Sequence, residues 1–345
     1  MSELSSSDEE VPLQCGVECQ PRTYNQCNYL YKGENHYPVP VVDLKGRLHD
    51  NDPEIRPALL RELVEAGRVG VICVVNHGIE EKLHSELKRA ANTFFSLPFE
   101  EKFKCSKIPV PGHARSVGYQ GQFQDLTQKA FVVQRREVFE IQGTPFTQNR
   151  DLLPWPESVP SFRGCVEAYA EEIRGLTKWM CEALAEGLGL EKDAFLKQIG
   201  SSDDLFHQQV VVCSQTYSGG INIFIGDPME CMSDGKFHAM IHRVRTPADR
   251  NRFSCVSPLE PINRASTIQP VPELVERSGI PAKYVPFSFL DRAASFMDQR
   301  FNPEIMTKRF MVKDASVLDP ERDFSYKDGV FYVGTRPQGS VTEGY

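Results

Sequence analysis

Apolar residues recur at three- and four-residue intervals in three stretches of the chain, and each predicts an amphipathic helix. In the first, Leu59, Leu60, Leu63 and Val64 form one face up to Gly67. Asp50, Asn51 and Asp52 offer N-caps ahead of it, and Pro53 is a good first helical residue. The second helix is predicted over about Glu80 to Ser96, where Leu83, Leu87, Ala91, Phe94 and Phe95 repeat and Pro98 enforces a stop. Pro154-Trp155-Pro156 then breaks the chain. The longest helix follows, about Pro160 to Leu188, with Phe162, Val166, Tyr169, Ile173, Leu176, Met180 and Leu184 on its apolar face. It closes at Gly187 and Gly189, and Asp193 opens a short successor.

Strand-like patterns fill the gaps. Val39 to Leu44 reads as a short strand, and the nearly all-apolar Val69 to Asn76 as a buried one. From Lys236 to Val244 the pattern predicts a strand that ends in His242-Arg243-Val244, followed by a polar turn and a second strand opening with Arg252-Phe253-Ser254. If the first is extended, His238, Met240, His242 and Val244 share a face. His238 and His242 then stand roughly 13 Å apart along the strand, too far to bind one metal. Residues 1–36 are polar and turn-rich and read as a flexible leader. Past Ser257 a loop leads to a last helix ending near Arg309, and one more strand is predicted at Val330 to Val333.

Bulk properties narrow the function by exclusion. A net charge of −8 and no long basic run argue against nucleic acid or an anionic membrane surface as the partner. The longest apolar run, about Val69 to Val75, is far too short to span a bilayer, and the acidic start has no secretory h-region. Of ten cysteines, Cys73, Cys165, Cys181, Cys213 and Cys255 fall in apolar periodic segments and read as buried thiols, which suits a reducing, cytoplasmic setting. Cys15, Cys19 and Cys27 match no paired zinc-knuckle spacing.

Several of these stretches share fixed motifs. Ile225-Gly226-Asp227, Asp234-Gly235-Lys236-Phe237, His242-Arg243-Val244 and Arg252-Phe253-Ser254 stand in the order and spacing of the iron(II)/2-oxoglutarate-dependent dioxygenases of the isopenicillin N synthase-like type, which the chain resembles. Upstream, Val39-Pro40-Val41-Val42-Asp43-Leu44, Asn76-His77-Gly78-Ile79, Gly118-Tyr119 and Glu137-Val138-Phe139-Glu140-Ile141 match the same family. The resemblance implies a mainly β fold with flanking helices, built on a double-stranded β-helix (jelly-roll) core. The long helix would support it from outside. It also implies iron(II) and 2-oxoglutarate as cofactor and co-substrate, a small organic molecule as substrate, His242 as a metal ligand, and Arg252 and Ser254 as a clamp on the 2-oxoglutarate carboxylate. His77 is structural in the family.

The family's iron site also needs a His-X-Asp on an earlier strand, and the chain contains none. Only 35 positions separate His207 from His242, where five strand steps would need roughly 40 to 60 residues. The core is therefore expected to lack two to three strands. Two alignments bridge the gap. In one, Val210 to Tyr217 is the strand whose tyrosine, here Tyr217, helps hold 2-oxoglutarate, and His-X-Asp is deleted outright. In the other, slightly preferred, Val210 to Ile221 is the following strand, and His207-Gln208-Gln209 replaces His-X-Asp, with His207 as first metal ligand. Both lose the acid, so no residue is assigned a catalytic role.

The expected organisation is a leader over 1–36, an N-terminal dioxygenase-type region over 37–150, a support helix and shortened jelly roll over 151–310, and an extension over 311–345. Exposed strand edges would favour self-association. The rival reading is a catalytically inactive family member or shortened gene product, able at most to bind a carboxylate ligand or a protein partner.

Overall fold

The computed structural model describes residues 17–20, 39–46, 48, 52–106, 108–109, 116–121, 137–142, 154–199, 207–211, 220–244, 253–259, 265–292, 324–327 and 330–333. At 17–20, 108–109, 116–117, 142, 207–211, 241–244, 324–327 and 330–333 it describes the backbone course only.

The three periodic stretches are helices: α1 (Ile55–Val69), α2 (Glu81–Phe95) and, after the short α3 (Phe99–Phe103), α4 (Pro160–Gly187). The successor opened by Asp193 is α5 (Ala194–Ile199). Their apolar faces meet. Phe94 of α2 packs on Phe162 of α4 with ring centroids 5.0 Å apart. Small residues let α1 approach α4, since a Cβ at Gly187 would stand 2.6 Å from Val64. Arg56 and Glu186 close the same seam with a two-pronged ion pair at 2.9 and 2.5 Å.

Behind α1 lies a small sheet in which β2 (Val41–Asp43) runs parallel to β3 (Val71–Val75) and β8 (Ile221–Phe224) antiparallel to it. Ile72 stands opposite Ile223, so the N-terminal region is joined directly to the segment that leads to His242. The larger sheet has the order β10-β7-β6-β5-β4, from β4 (Ile108–Pro109), β5 (Ser116–Gln120), β6 (Val138–Gln142), β7 (His207–Val211) and β10 (Ser254–Val256). Every pairing in it is antiparallel. Its β6 buries Phe139 and Ile141 completely against the helices, with Phe139 5.0 Å from Phe162 and 5.4 Å from Phe94. Three strand pairs complete the described set: β1 (Val17–Gln20) with β9 (Ile241–Val244), β11 (Thr267–Ile268) with β12 (Phe287–Ser288), and β13 (Phe324–Lys327) with β14 (Val330–Val333). Between β8 and β9 stands α6 (Asp227–Met232), and between β11 and β12 stands α7 (Pro272–Ser278).

Some expectations change. The strand predicted from Lys236 begins only at Ile241, because side chains capture the amides ahead of it. Phe237 N–H donates to Ser233 Oγ at 3.1 Å and Ala239 N–H to Glu230 Oε2 at 2.5 Å, so neither joins a ladder. Alternation fails there too: His238 is exposed while Ala239 and Met240 are both buried. The run predicted as one strand to Ile221 is two elements in different sheets, β7 and β8. Within the stretch read as a leader, Val17–Gln20 forms a strand. The last helix is described only over 289–292.

Gly70 is the hinge of this arrangement. It ends α1 at φ 97°, its carbonyl accepts from Ile225 N–H at 3.0 Å, and an added Cβ would meet His238 O at 2.6 Å and Met240 Cβ at 2.9 Å. Gly70→Ala is expected to lower stability by about 2–3 kcal/mol, through both strain and overlap. Gly164→Ala, in open space on α4, should instead raise it by about 0.5–1 kcal/mol. Urea unfolding of the two variants checks the contrast.

Candidate functional site

Alternation along the larger sheet gives it two faces. Tyr119 of β5 stands opposite Phe139, and with Phe139 and Ile141 it lines the face covered by α2 and α4. Glu137, just before β6, accepts hydrogen bonds from Tyr119 Oη and, at 2.7 Å, from Lys102 Nζ. Burial, then that bond, raises the Tyr119 phenol well above its usual range. The other face carries the alternate positions: Val138, Glu140 and Gln142 of β6, His207, Gln209 and Val211 of β7, and Ser254 and Val256 of β10. Register sets His207 opposite Gln142, Gln209 opposite both Glu140 and Val256, and Val211 opposite Ser254.

His242 enters on a different pair of strands. It lies in β9, opposite Cys19 of β1. The segment delivering it is fastened by a buried acid: Glu230 of α6, 2% exposed, accepts from Ala239 N–H and, at 2.7 Å, from Tyr284 Oη. Asp234, at φ 49°, sits in the turn after α6 and accepts from Lys283 N–H at 2.7 Å. Asp227 meets Arg292 at 3.2 Å. The motif Ile225-Gly226-Asp227 thus opens a helix and ties it to the segment after β12.

Of the predicted site residues, His207 and His242 are placed by backbone on β7 and β9, and Ser254 is half-buried on β10. Arg252 and Tyr217 lie outside the described residues. His77 has its expected structural role, with Ile79 N–H donating to its Nδ1 at 3.2 Å. Cys73 and Cys181 are buried free thiols and Cys165 and Cys255 half-buried ones; burial pushes Cys181 up to about 12, leaving it inert at neutral pH. Cys213 lies outside the described residues.

One His-X-Glu does occur, His84-Ser85-Glu86, which a search along strands misses. It lies in α2, where positions i and i+2 diverge by about 200° around the axis. The two cannot ligate one ion. The His84 ring instead sits 5.1 Å from Tyr169 and 5.7 Å from His77. Its buried Nε2 has no hydrogen-bond partner among the described residues.

Among the described residues no group of three or more His, Cys, Asp or Glu side chains is placed to hold a metal ion. The donors carried over by resemblance do not match iron(II) as that family binds it. In the alignment that sets His207-Gln208-Gln209 in place of His-X-Asp, position 209 is a neutral amide where the family has an acid. Glu140 of β6, opposite Gln209, is 3% exposed, and the alternation in Val138-Phe139-Glu140-Ile141 turns it away from the core that Phe139 and Ile141 share.

Comparison with known proteins places these features. A family profile described as the N-terminal region of non-haem dioxygenases in morphine synthesis matches residues 39–161. A leucoanthocyanidin dioxygenase of Petunia hybrida is 26% identical over 299 residues, 74% of this chain and 68% of that protein. Among solved structures, JOX2 in complex with 2OG, Fe and JA superposes with a TM-score of 0.63 at 20% identity, over 79% of this chain and 89% of that one. The rice dioxygenase for auxin oxidation gives 0.62 at 20% identity, over 80% and 100%. The chain shares the fold of these proteins, which have a jelly-roll core. No helix among the described residues is long and apolar enough to cross a membrane.

Tyr284→Phe deletes one donor to the buried Glu230 and should cost about 1.5–3 kcal/mol, the range for a hydrogen bond to a charged group, read from urea unfolding. Burial holds the His84 ring below its ordinary 6.5, with Glu81 opposing. Below pH 6.5 the unfolded chain therefore takes up a proton that the folded chain resists, and stability falls as pH drops toward the lowered folded value. His84→Phe should flatten that part of the curve of unfolding midpoint against pH.

Proposed function

Because the chain belongs to the iron(II)/2-oxoglutarate-dependent dioxygenase family, we propose that it is an oxygenase of small organic molecules that has kept its 2-oxoglutarate clamp and lost the family's own acid from its metal centre. The observation that carries this reading is the pairing of β10 with β7. It sets Ser254 opposite Val211, about 13 Å along the strand from His207, on the face turned away from the helices. Clamp and first-ligand positions thereby lie on neighbouring strands.

The roles follow from the residue types. The planar fork of Arg252 grips the distal carboxylate of 2-oxoglutarate through two parallel hydrogen bonds, and the Ser254 hydroxyl donates to the same group, joined by the Tyr217 phenol only in the alignment that deletes His-X-Asp. His242 and His207 present neutral imidazole nitrogens, the donor type suited to iron. Iron(II) held by these two histidines would supply redox chemistry coupling decarboxylation of 2-oxoglutarate to oxidation of the substrate. Free cysteines support a reducing, cytoplasmic setting for it. Three described strands between His207 and Val244 support a jelly roll short of two to three strands. The profile match over 39–161 supports an N-terminal region over about 37–150, ahead of the support helix and shortened jelly roll over 151–310.

Gln209 favours a second reading. If β7 is instead the tyrosine strand running toward Tyr217, its place beside the clamp strand is equally natural, and His-X-Asp has no counterpart at all. The chain would then bind 2-oxoglutarate, or another carboxylate, without turnover.

Anaerobic titration with iron(II) and 2-oxoglutarate separates the two. The oxygenase reading expects the faint visible charge-transfer band of a chelated complex, its loss in His242→Ala, and 2-oxoglutarate binding weakened about tenfold or more in Arg252→Ala. Binding of 2-oxoglutarate with no band supports the non-catalytic reading. A parent protein that binds neither overturns both.

A further inference from the structure

Where α2 meets α4, His84 is packed as a neutral ring. It stands edge-on to Tyr169 of α4, with centroids 5.1 Å apart, and lies 5.7 Å from His77 of the turn before α2. Its Nε2 is shut away from water and has no hydrogen-bond partner among the described residues. A bare ring nitrogen tolerates such a place. An imidazolium does not, because both of its nitrogens carry protons that need acceptors. Burial accordingly holds the ring below its ordinary value, with the Glu81 carboxylate pulling the other way.

Acceptors stand close by. Glu81 precedes His84 by three positions, the spacing at which helix side chains meet. Glu80, Glu86 and Glu172 line a cleft of about 310 Å³ with Lys82, Gly78 and Leu83, so that three carboxylates face one ammonium. From α4 the ring meets Tyr169, which in turn feels Cys255 of β10, and from the turn it meets His77. The entry to α2 also stores strain. Asn76 and Gly78 hold left-handed backbone at φ 52° and 85°, and the Asn76 side chain is pinned by donating to Asp43 Oδ1 at 2.7 Å. A non-glycine residue held there costs about 1–3 kcal/mol, which opening of the turn releases.

We propose that His84 is a pH-sensitive latch on the first turns of α2. On taking up a proton from solvent the ring leaves Tyr169 for the acid-lined cleft, and residues 77–87 loosen from α4 while the rest of the chain stays folded. The closed latch resists the proton that the open one accepts near the ordinary 6.5, so closure is strongest above that pH. Below it, each unit of pH favours opening by up to about tenfold, until the lowered value of the closed state is reached.

Hydrogen-exchange mass spectrometry of the full chain on either side of that value, at about pH 7.5 and about pH 5.5, tests the latch once intrinsic exchange rates are divided out. It requires neither iron nor 2-oxoglutarate. In the parent, opening of residues 77–87 should rise several-fold, up to about tenfold, at the lower pH, while α1 keeps its protection. His84→Phe and His84→Gln, neither of which can take up the proton, should open equally at both pH values. A rise that survives in either variant belongs to another group, His77 first, and overturns the proposal. A parent whose exchange over 77–87 does not change overturns it too, as does one whose exchange rises equally in α1, which is global unfolding.

Discussion

The alternation of β6 between an aromatic core and a polar face is the constraint on which the rest of the structure depends. Phe139 and Ile141 are fully buried against Phe94 and Phe162, and Tyr119 joins them from β5. Side chains on a strand repeat with a period of two, so a slip of one residue would drive Val138 and Glu140 into the helices and pull the aromatics out. The apolar packing therefore decides which residues of β7 and β10 can face the candidate site. Nothing polar in the site has to hold it together.

The approach to His242 depends on a different device. Glu230 is buried where α6 ends, and its two oxygens take hydrogen bonds from Ala239 and Tyr284. With Ser233 Oγ holding Phe237 N–H and the backbone of Gly70 lying against 238–240, the chain is kept out of extended pairing until Ile241. Hydrogen bonds to a charged acceptor are worth about 1.5–3 kcal/mol each, enough to outweigh the weak strand propensity of a short alternating run.

That competition explains what could and could not be read from the sequence. Helices α1, α2 and α4 were legible because their apolar residues repeat over many turns, and the buried β3 because it is apolar throughout. The predicted strand at Val330 to Val333 matches β14. Lys236 to Ala239 misled because the groups that end the strand, Glu230 and Ser233, lie up to nine residues away and act through side chains that periodicity does not register. Val17–Gln20 alternates over only two apolar residues, Val17 and Cys19, too short a run to register as a strand, so its pairing with β9 is visible only in three dimensions. The residues that the family motifs single out, His207, His242 and Ser254, fall on β7, β9 and β10.

The larger of two described apolar clusters runs from Val42 through α1, α2, β6 and α4 to Ile268 and Phe287, and it draws on both the N-terminal region and the segment after α4. Each fully buried aliphatic or aromatic side chain in that cluster contributes about 1.5–3 kcal/mol, whereas an unoccupied site contributes strain and repulsion if anything. Neither the contact of Phe139 with Phe162 nor the pairing of Ile72 with Ile223 draws on the residues between Val211 and Ile221. Likeness of fold is therefore insensitive to the residues that decide whether iron is held, and a strong match over 39–161 speaks to scaffold and not to turnover.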